Sequence, residues 1–169
     1  MGSNAAIPYF DPWDGGVDAK TLFLLEAPGP KARNSGFVSM NNPDETARNF
    51  FEIYHEVGFR REETATWNVV PWYIGSGAKI RAANSSDLAQ GKHSLRELFG
   101  LMPELRAVVL MGRKAQKNMK ELMLLVPDAA FFQCPHPSPM YVNRKKENKG
   151  VLLASLEEVR AFLDGQDRV

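Results

Sequence analysis

Four short apolar runs alternate with amphipathic stretches, and no other feature of the sequence constrains the fold as strongly. The apolar runs predict strands over Thr21–Glu26, Thr66–Val70, Arg106–Met111 and Asp128–Cys134. A continuous apolar run is typical of a strand that is buried on both faces of a parallel sheet. Between and after these strands, residue spacing predicts helices over Asn42–His55, His93–Leu101, Arg113–Leu125 and Gly150–Leu163. We therefore expect an α/β protein, a three-layer α/β/α sandwich with a central, mainly parallel, four-stranded sheet.

The 169 residues show no internal repeat, no low-complexity segment and no linker that would divide them. We expect one domain over residues 1–169, in which residues 1–19, rich in Pro, Gly and Asp, form an irregular lead-in. The apolar runs are too short to span a membrane, and the first residues lack the features of a signal peptide. These observations predict a cytoplasmic monomer with no membrane partner.

The charge balance argues against a surface that is basic throughout. The chain has 21 Lys and Arg residues against 20 Asp and Glu, a formal net charge of +1. A local basic face is still compatible with this balance, because phosphate contact needs only a few cations on one side. Basic residues do cluster, near Lys31, at Arg113 and Lys114, and at Arg144 and Lys145. For each cluster a solvated surface is the alternative interpretation.

Polar residues lie at or near the carboxyl ends of three of the four predicted strands. Glu26 ends the first, Asn68 lies in the second, and His136 comes just after the fourth. The third strand runs into Gly112 and the start of a helix, which favours anion binding. Ligands of open α/β sheets bind outside the carboxyl ends of the strands, so we expect these groups to meet at one edge.

Four segments resemble motifs of the uracil-DNA glycosylase superfamily. LLEAPGPKA resembles the GEAPG motif of its iron-sulfur members, and SGFVS at residues 35–39 is similar to their GRPFVG. GFRREETATWNVVPW resembles the strand that ends in an asparagine, here Asn68, and CPHPSP is similar to the HPSP motif. The resemblance runs from about residue 20 to the end of the chain. It implies the fold of that superfamily and hydrolysis of the N-glycosidic bond of uracil, or a related deaminated base, in DNA, which leaves an abasic site.

The resemblance also implies three catalytic residues. His136 would donate a hydrogen bond to the departing base, and Asn68 would read the base edge with its donor and its acceptor. Glu26 would position water or offset positive charge on the sugar, a role for which Asp11 or Asp14 could compete. The structural alternative is that each side chain satisfies backbone groups at a strand end.

Further residues are implied to bind substrate and DNA. Phe37 would stack on the flipped base, and Met140 would fill the gap that the base leaves in the duplex. The expected substrate-binding residues are Ala27, Pro28, Gly29, Phe37, Asn68 and Ser138. The expected DNA contacts are Lys31, Arg113, Lys114, Met140, Arg144 and Lys145.

The chain departs from the family pattern at several positions. Iron-sulfur members hold their cluster with four cysteines, whereas this chain has only Cys134, expected as a buried strand residue. We therefore expect no metal and no cofactor. Leu25 replaces the leading glycine of GEAPG. Ala27 stands where the best-studied members have a catalytic aspartate, which weakens the case for full catalytic power. Gly29 replaces a tyrosine that screens out the thymine methyl, which leaves a roomier pocket.

Two other functions stay open at the level of sequence. A nucleic-acid or nucleobase-binding module with little or no catalytic activity is favoured by Ala27 and disfavoured by Glu26 together with His136. A hydrolase of free nucleosides or nucleotides would lack the salt-dependent DNA affinity that the basic clusters predict.

Overall fold

The computed structural model describes residues 7–76 and 79–166. The strands of this part are β1 Tyr9–Phe10, β2 Thr21–Leu25, β3 Phe37–Val38, β4 Thr64–Asn68, β5 Gly75–Ser76, β6 Lys79–Ile80, β7 Ala107–Met111 and β8 Ala130–Cys134. The α-helices are α1 Pro30–Ser35, α2 Glu45–Val57, α3 Ser85–Gly100, α4 Arg113–Gln116, α5 Met119–Met123, α6 Pro139–Val142 and α7 Asn148–Gln166. Short 3-10 helices span Gly16–Asp18 and Arg61–Glu63. No helix of the described segments is long and apolar enough to cross a bilayer.

The central sheet consists of four parallel strands in the spatial order β4-β2-β7-β8. The chain starts in the middle with β2, adds β4 on one side and then adds β7 and β8 on the other. The order thus reverses between β2 and β7, and such a switch point opens a crevice outside the carboxyl ends of the strands. The predicted four-stranded parallel sheet is confirmed.

The two faces of the sheet carry separate apolar cores. Leu22 and Leu24 of β2 pack in one core with side chains of α3 and α5. Phe23, which points to the opposite face, packs in the other core with side chains of α2 and α7. Because both faces are covered, β2 is apolar at every interior position, as its sequence predicts. The three-layer arrangement is confirmed.

The helices predicted over Asn42–His55 and Gly150–Leu163 lie within three residues of their predicted bounds, whereas the other two differ more, each for a local reason. The α3 helix begins at Ser85, well before the predicted His93, because Asn84 and Asp87 form a reciprocal capping box ahead of a largely polar first part. The predicted helix over Arg113–Leu125 is divided into α4 and α5. The side chain of Asn118 donates a hydrogen bond to the carbonyl of Lys114 at 2.9 Å, so it competes with helical backbone bonding there.

The lead-in is more ordered than predicted. Residues 1–6 lie outside the described part, but β1 pairs in parallel with β3, and Phe10 packs on Trp67 with ring centroids 4.4 Å apart. The backbone N–H of Gly15 donates to the carbonyl of Thr64 at 2.9 Å. The carboxylate of Asp14 accepts from the backbone N–H of Thr66. The lead-in therefore covers the outer edge of β4, which would otherwise leave its backbone groups unpaired.

Candidate active site

A cavity of about 490 Å³ opens at the carboxyl ends of β2 and β4. Glu26, Asn68 and His136, the three residues that sequence motifs predict to be catalytic, all line it. Its other walls come from the β2–α1 loop, the segment after β3, α2 and the β5–β6 hairpin; they include Ala27, Pro28, Gly29, Lys31, Val38, Ser39, Phe50, Thr66 and Ile80. Residues far apart in the sequence thus meet around one space at the edge of the sheet.

Asn68 ends β4 with its side chain turned into this space. The residue is only 2% exposed, and its Nδ2 group has no hydrogen-bond partner within residues 7–76 and 79–166. A buried amide donor without a partner costs about 1–3 kcal/mol, so native proteins seldom retain one without a reason. Asn68 is therefore available to bind a ligand that carries an acceptor.

His136 is held in one tautomer. Its Nδ1 atom accepts a hydrogen bond from the backbone N–H of Ser138 at 3.1 Å, so the neutral ring carries its proton on Nε2. Burial lowers the pKa of His136 below its ordinary value, and the negative charge of Glu26 acts in the opposite direction. The residue is thus a neutral imidazole near pH 7 with an Nε2–H available for donation.

Gly112 allows the imidazole to lie close against the end of β7. Its φ of +86° is unfavourable for other residues, and a Cβ there would lie 2.9 Å from the Cβ and 3.2 Å from the Cδ2 of His136. The backbone N–H of Gly112 also donates to the carbonyl of Cys134 at 2.8 Å. The sequence predicts Gly112 only as part of an anion site, but a glycine directly after a buried strand also indicates a close approach of another residue.

Glu26 is half-buried and connects the site to the segment that precedes α3. Its Oε1 atom accepts a hydrogen bond from the backbone N–H of Ala83 at 2.7 Å. The carboxylate lines both the cavity and a neighbouring groove that opens between the ends of β2 and β7. This is the switch point of the sheet, where the topology predicts ligand binding.

Asp11 and Asp14 do not line the cavity but bind Arg61. The distances are 2.7 Å from Arg61 Nη2 to Asp11 Oδ2 and 2.5 Å from Arg61 Nε to Asp14 Oδ1. Asp11 also accepts a hydrogen bond from the hydroxyl of Ser39, which lies in the cavity wall. Both carboxylates are thus engaged in holding the lead-in and this wall, which disfavours their use to activate water.

Phe37 lies outside the cavity, contrary to expectation. Neighbouring residues of a strand point to opposite sides, and Val38, not Phe37, lines the cavity. The Phe37 side chain is exposed, and its ring faces Tyr9 with a centroid distance of 6.5 Å. The aromatic ring in the wall is Phe50 of α2, which also packs in the core on that side of the sheet.

Two grooves adjoin the cavity, and both share His136 with it. The first, of about 450 Å³, is lined by Arg113, Lys114 and Lys117 as well as Glu26. The second, of about 920 Å³, includes Arg113, Ser138, Met140 and Arg144 among its lining residues. Ser138 therefore lies beside the cavity and not in it, whereas Met140 is 84% exposed at the groove.

The remaining predicted cations divide in two. Lys31 is exposed and lines the cavity itself. Lys145 lies outside the cavity and both grooves, with its Nζ 3.9 Å from a carboxylate oxygen of Glu147.

The chemistry of the site rests on oxygen and nitrogen groups. Cys134, the single cysteine of the sequence, is buried in β8, and burial raises the pKa of its thiol to about 12. It is an inert strand residue, as predicted. Within the described residues, no three His, Cys, Asp or Glu side chains lie close enough together to hold a metal ion.

Comparisons with known proteins identify the family and the fold. A family model for the uracil DNA glycosylase superfamily matches residues 12–160. The crystal structure of SMUG2 from Pedobacter heparinus has a TM-score of 0.63 at 11% identity, over 90% of this chain and 77% of that chain. The solution structure of a candidate uracil DNA glycosylase from Methanosarcina acetivorans has a TM-score of 0.53 at 18% identity, over 90% and 98%.

At these identities the two structures establish likeness of fold. No curated protein matches the sequence. The family model covers most of the chain, from the lead-in into α7. The chain therefore belongs to the uracil DNA glycosylase superfamily.

Proposed function

We propose that this protein is a DNA glycosylase that hydrolyses the N-glycosidic bond of uracil, or a related deaminated base, and leaves an abasic site. The observation that carries the proposal is the pairing of two free donors in one cavity. The buried Nδ2 group of Asn68 lacks a partner in the described chain, and His136 has its proton on Nε2. Membership of the superfamily supports the same chemistry.

Hydrogen-bond donors in the cavity can stabilise the negative charge that develops on the leaving base. A base must leave the stack before its sugar bond can be attacked, which costs a few kcal/mol. As the bond breaks, the sugar becomes cationic and the leaving base becomes anionic. An Nε2–H of His136 aimed at a carbonyl oxygen of the base would stabilise that anion, a contribution of about 3 kcal/mol for a preorganised donor.

Glu26 supplies the negative charge on the sugar side. Its bond to the backbone of Ala83 restrains the carboxylate without neutralising it. A restrained carboxylate can orient the attacking water and offset the sugar cation, and it need not be a strong base because the departing group does most of the bond breaking. Ala27 lines the cavity at the position where the best-studied members have an aspartate, so Glu26 is the carboxylate proposed for this role.

DNA is the proposed partner, held along the two grooves. Arg113, Lys114 and Arg144 border these grooves and would contact phosphates on either side of the extruded nucleotide. The exposed Met140 would occupy the space that the base vacates.

The test is excision from defined oligonucleotides. Single- and double-stranded DNA carrying uracil, hypoxanthine or xanthine is incubated with protein, and abasic sites are then cleaved with alkali. We expect strand breaks that fall at least about 100-fold with His136→Ala and with Asn68→Ala. His93→Ala is the matched control, because His93 is exposed on α3, where it faces Glu97.

The same assay separates the alternative function. Ala27 favours a binding module without efficient chemistry, and such a module would leave every oligonucleotide intact while retaining salt-dependent binding. That result would overturn the proposed activity and establish the alternative.

A further inference from the structure

One face of β4 carries a row of polar side chains. Residues two apart in a strand share a face, so Thr64, Thr66 and Asn68 point the same way, toward α2. The hydroxyl of Thr64 is satisfied by the hydroxyl of Tyr54, at 2.7 Å. The Oγ1 atom of Thr66 and the Nδ2 atom of Asn68 have no partner among the described residues. Thr64 thus has a hydrogen-bond partner within the protein, whereas the Thr66 and Asn68 atoms beside the cavity have none in the described residues.

The buried hydroxyl of Thr66 lowers the stability of the folded protein, and the fold does not need it. Thr66 is 5% exposed and lines the cavity together with Asn68. A buried hydroxyl without a partner is destabilising, whereas valine has nearly the same shape and would avoid the penalty. Since buried polar groups are nearly always paired, an orphan hydroxyl in a cavity wall indicates a partner supplied by a ligand.

We propose that Thr66 is a second base-reading residue, whose hydroxyl donates a hydrogen bond to a carbonyl oxygen of the base that Asn68 also contacts. The inference rests on the proposed glycosylase function and extends it to a residue deeper in the cavity. Along a strand the two residues are separated by about 6.6 Å, so both side chains can reach the edge of one base. Deamination replaces an amino group with a carbonyl oxygen, and the hydroxyl of Thr66 can donate a hydrogen bond to that oxygen.

The experiment compares three threonine variants in uracil excision under single-turnover conditions. Thr66→Val removes only the hydrogen-bonding capacity, and we expect the excision rate to fall about ten-fold, while the melting temperature of the free protein stays the same or rises. Thr66→Ser keeps the hydroxyl and is expected to stay within about two-fold of wild type.

Thr21→Val is the matched control. Thr21 is also fully buried, and its hydroxyl likewise lacks a partner in the described chain, but it begins β2 at the opposite end of the sheet from the cavity. We expect this variant to retain the full excision rate. A second readout is the affinity for an oligonucleotide that carries a non-cleavable 2′-fluoro uracil nucleotide, which should weaken only in Thr66→Val.

The outcomes separate this inference from the proposed function. An active wild type with an unchanged rate and affinity in Thr66→Val overturns the inference alone. An equal loss in all three variants also overturns it, because such a loss reports on the fold. A wild type that neither cleaves nor binds any deaminated oligonucleotide overturns the proposed function, and the inference with it.

Discussion

The neutral state of His136 is set by its immediate neighbours. The Ser138 N–H occupies Nδ1, and burial disfavours a charged ring more than Glu26 favours it. Protonation of Nδ1 would place two donors against each other and break the bond to Ser138. The same residue type on an exposed helix, such as His93 on α3, has neither constraint.

This environment predicts the direction of a pH effect. Because the pKa of His136 lies below 6.5 in the folded protein, we expect the excision rate to hold as the pH falls to that value and to decline only below it. Single-turnover rates measured through the acid range would give the position of the decline. A half-maximal rate at or above pH 6.5 would contradict the assignment. The folded state also binds fewer protons than the unfolded state here, so His136 lowers the free energy of unfolding as the pH falls below 6.5.

Gly112→Ala provides a second test at this scale. The added methyl would lie 2.9 Å from the Cβ of His136, and the alanine would have to adopt a positive φ. We therefore expect an excision rate lower by about 10- to 100-fold and a loss of about 2–4 kcal/mol in the free energy of unfolding. Gly58→Ala is the control. Gly58 has a φ of +83° at the end of α2, with no described neighbour within 4 Å of an added Cβ, so only about 1 kcal/mol of backbone strain is expected. A fully active Gly112→Ala would show that His136 does not need this close approach.

Between elements, the buried ion cluster of Asp11, Arg61 and Asp14 joins the lead-in to the start of β4. Asp11 and Asp14 belong to the lead-in, and Arg61 belongs to the 3-10 helix that precedes β4. The Arg61 side chain is 14% exposed, so solvent screens its charge only weakly. Removal of one partner from such a cluster leaves buried charge uncompensated.

Arg61→Met is therefore expected to be strongly destabilising. We expect the free energy of unfolding, measured by urea denaturation, to fall by about 3–5 kcal/mol. Arg48→Met is the matched control, since Arg48 faces Glu45 at 3.6 Å with both side chains largely exposed, and a change below about 1 kcal/mol is expected. Equal effects of the two substitutions would contradict a structural role for the cluster.

Among the elements, those with an apolar signature could be predicted from sequence, and those defined by polar contacts could not. The strands β2, β4 and β7 are largely buried, and β8 is at least half-buried except at Gln133, so the apolar runs locate all four within two residues at each end. The first half of α3 is mostly exposed and has no apolar period, and only the capping residues Asn84 and Asp87 mark its start. The pairing of β1 with β3 joins segments of two residues each, too short for any periodicity.

At the scale of the whole molecule, the distribution of charge matters more than its total. The net charge is +1, yet Arg113, Lys114 and Arg144 border the two grooves that adjoin the cavity. Lys31 adds a cation at the cavity itself. The protein thus presents a local basic surface around His136 on a nearly neutral molecule.

This arrangement predicts salt-dependent binding. We expect the logarithm of the DNA association constant to fall linearly with the logarithm of the salt concentration, and Arg113→Gln or Arg144→Gln to reduce the slope by about 0.7–0.9 each. Lys120→Gln is the control, because Lys120 is exposed on α5 and borders neither groove. A slope that changes equally in all three variants would show that binding follows total charge.

Motifs predicted three residues that line one cavity, but they did not predict the orientation of every side chain around it. Glu26, Asn68 and His136 follow or end strands of a parallel sheet, so the topology alone brings them to one edge. The prediction for Phe37 required knowing which of the two residues of β3 faces the cavity, and a motif does not contain that information. Thr66 lay in a segment assigned to a strand, where its unpaired hydroxyl becomes visible only from three-dimensional contacts.

The strand that reads the base in this proposal is an edge strand, and its outer side is bound by the lead-in through Asp14. Small displacements of the lead-in would move the backbone of β4 and with it the side chains of Thr66 and Asn68. A genetic selection for altered base preference should therefore recover alleles at position 14 alongside alleles at position 66, although only position 66 is proposed to touch the base.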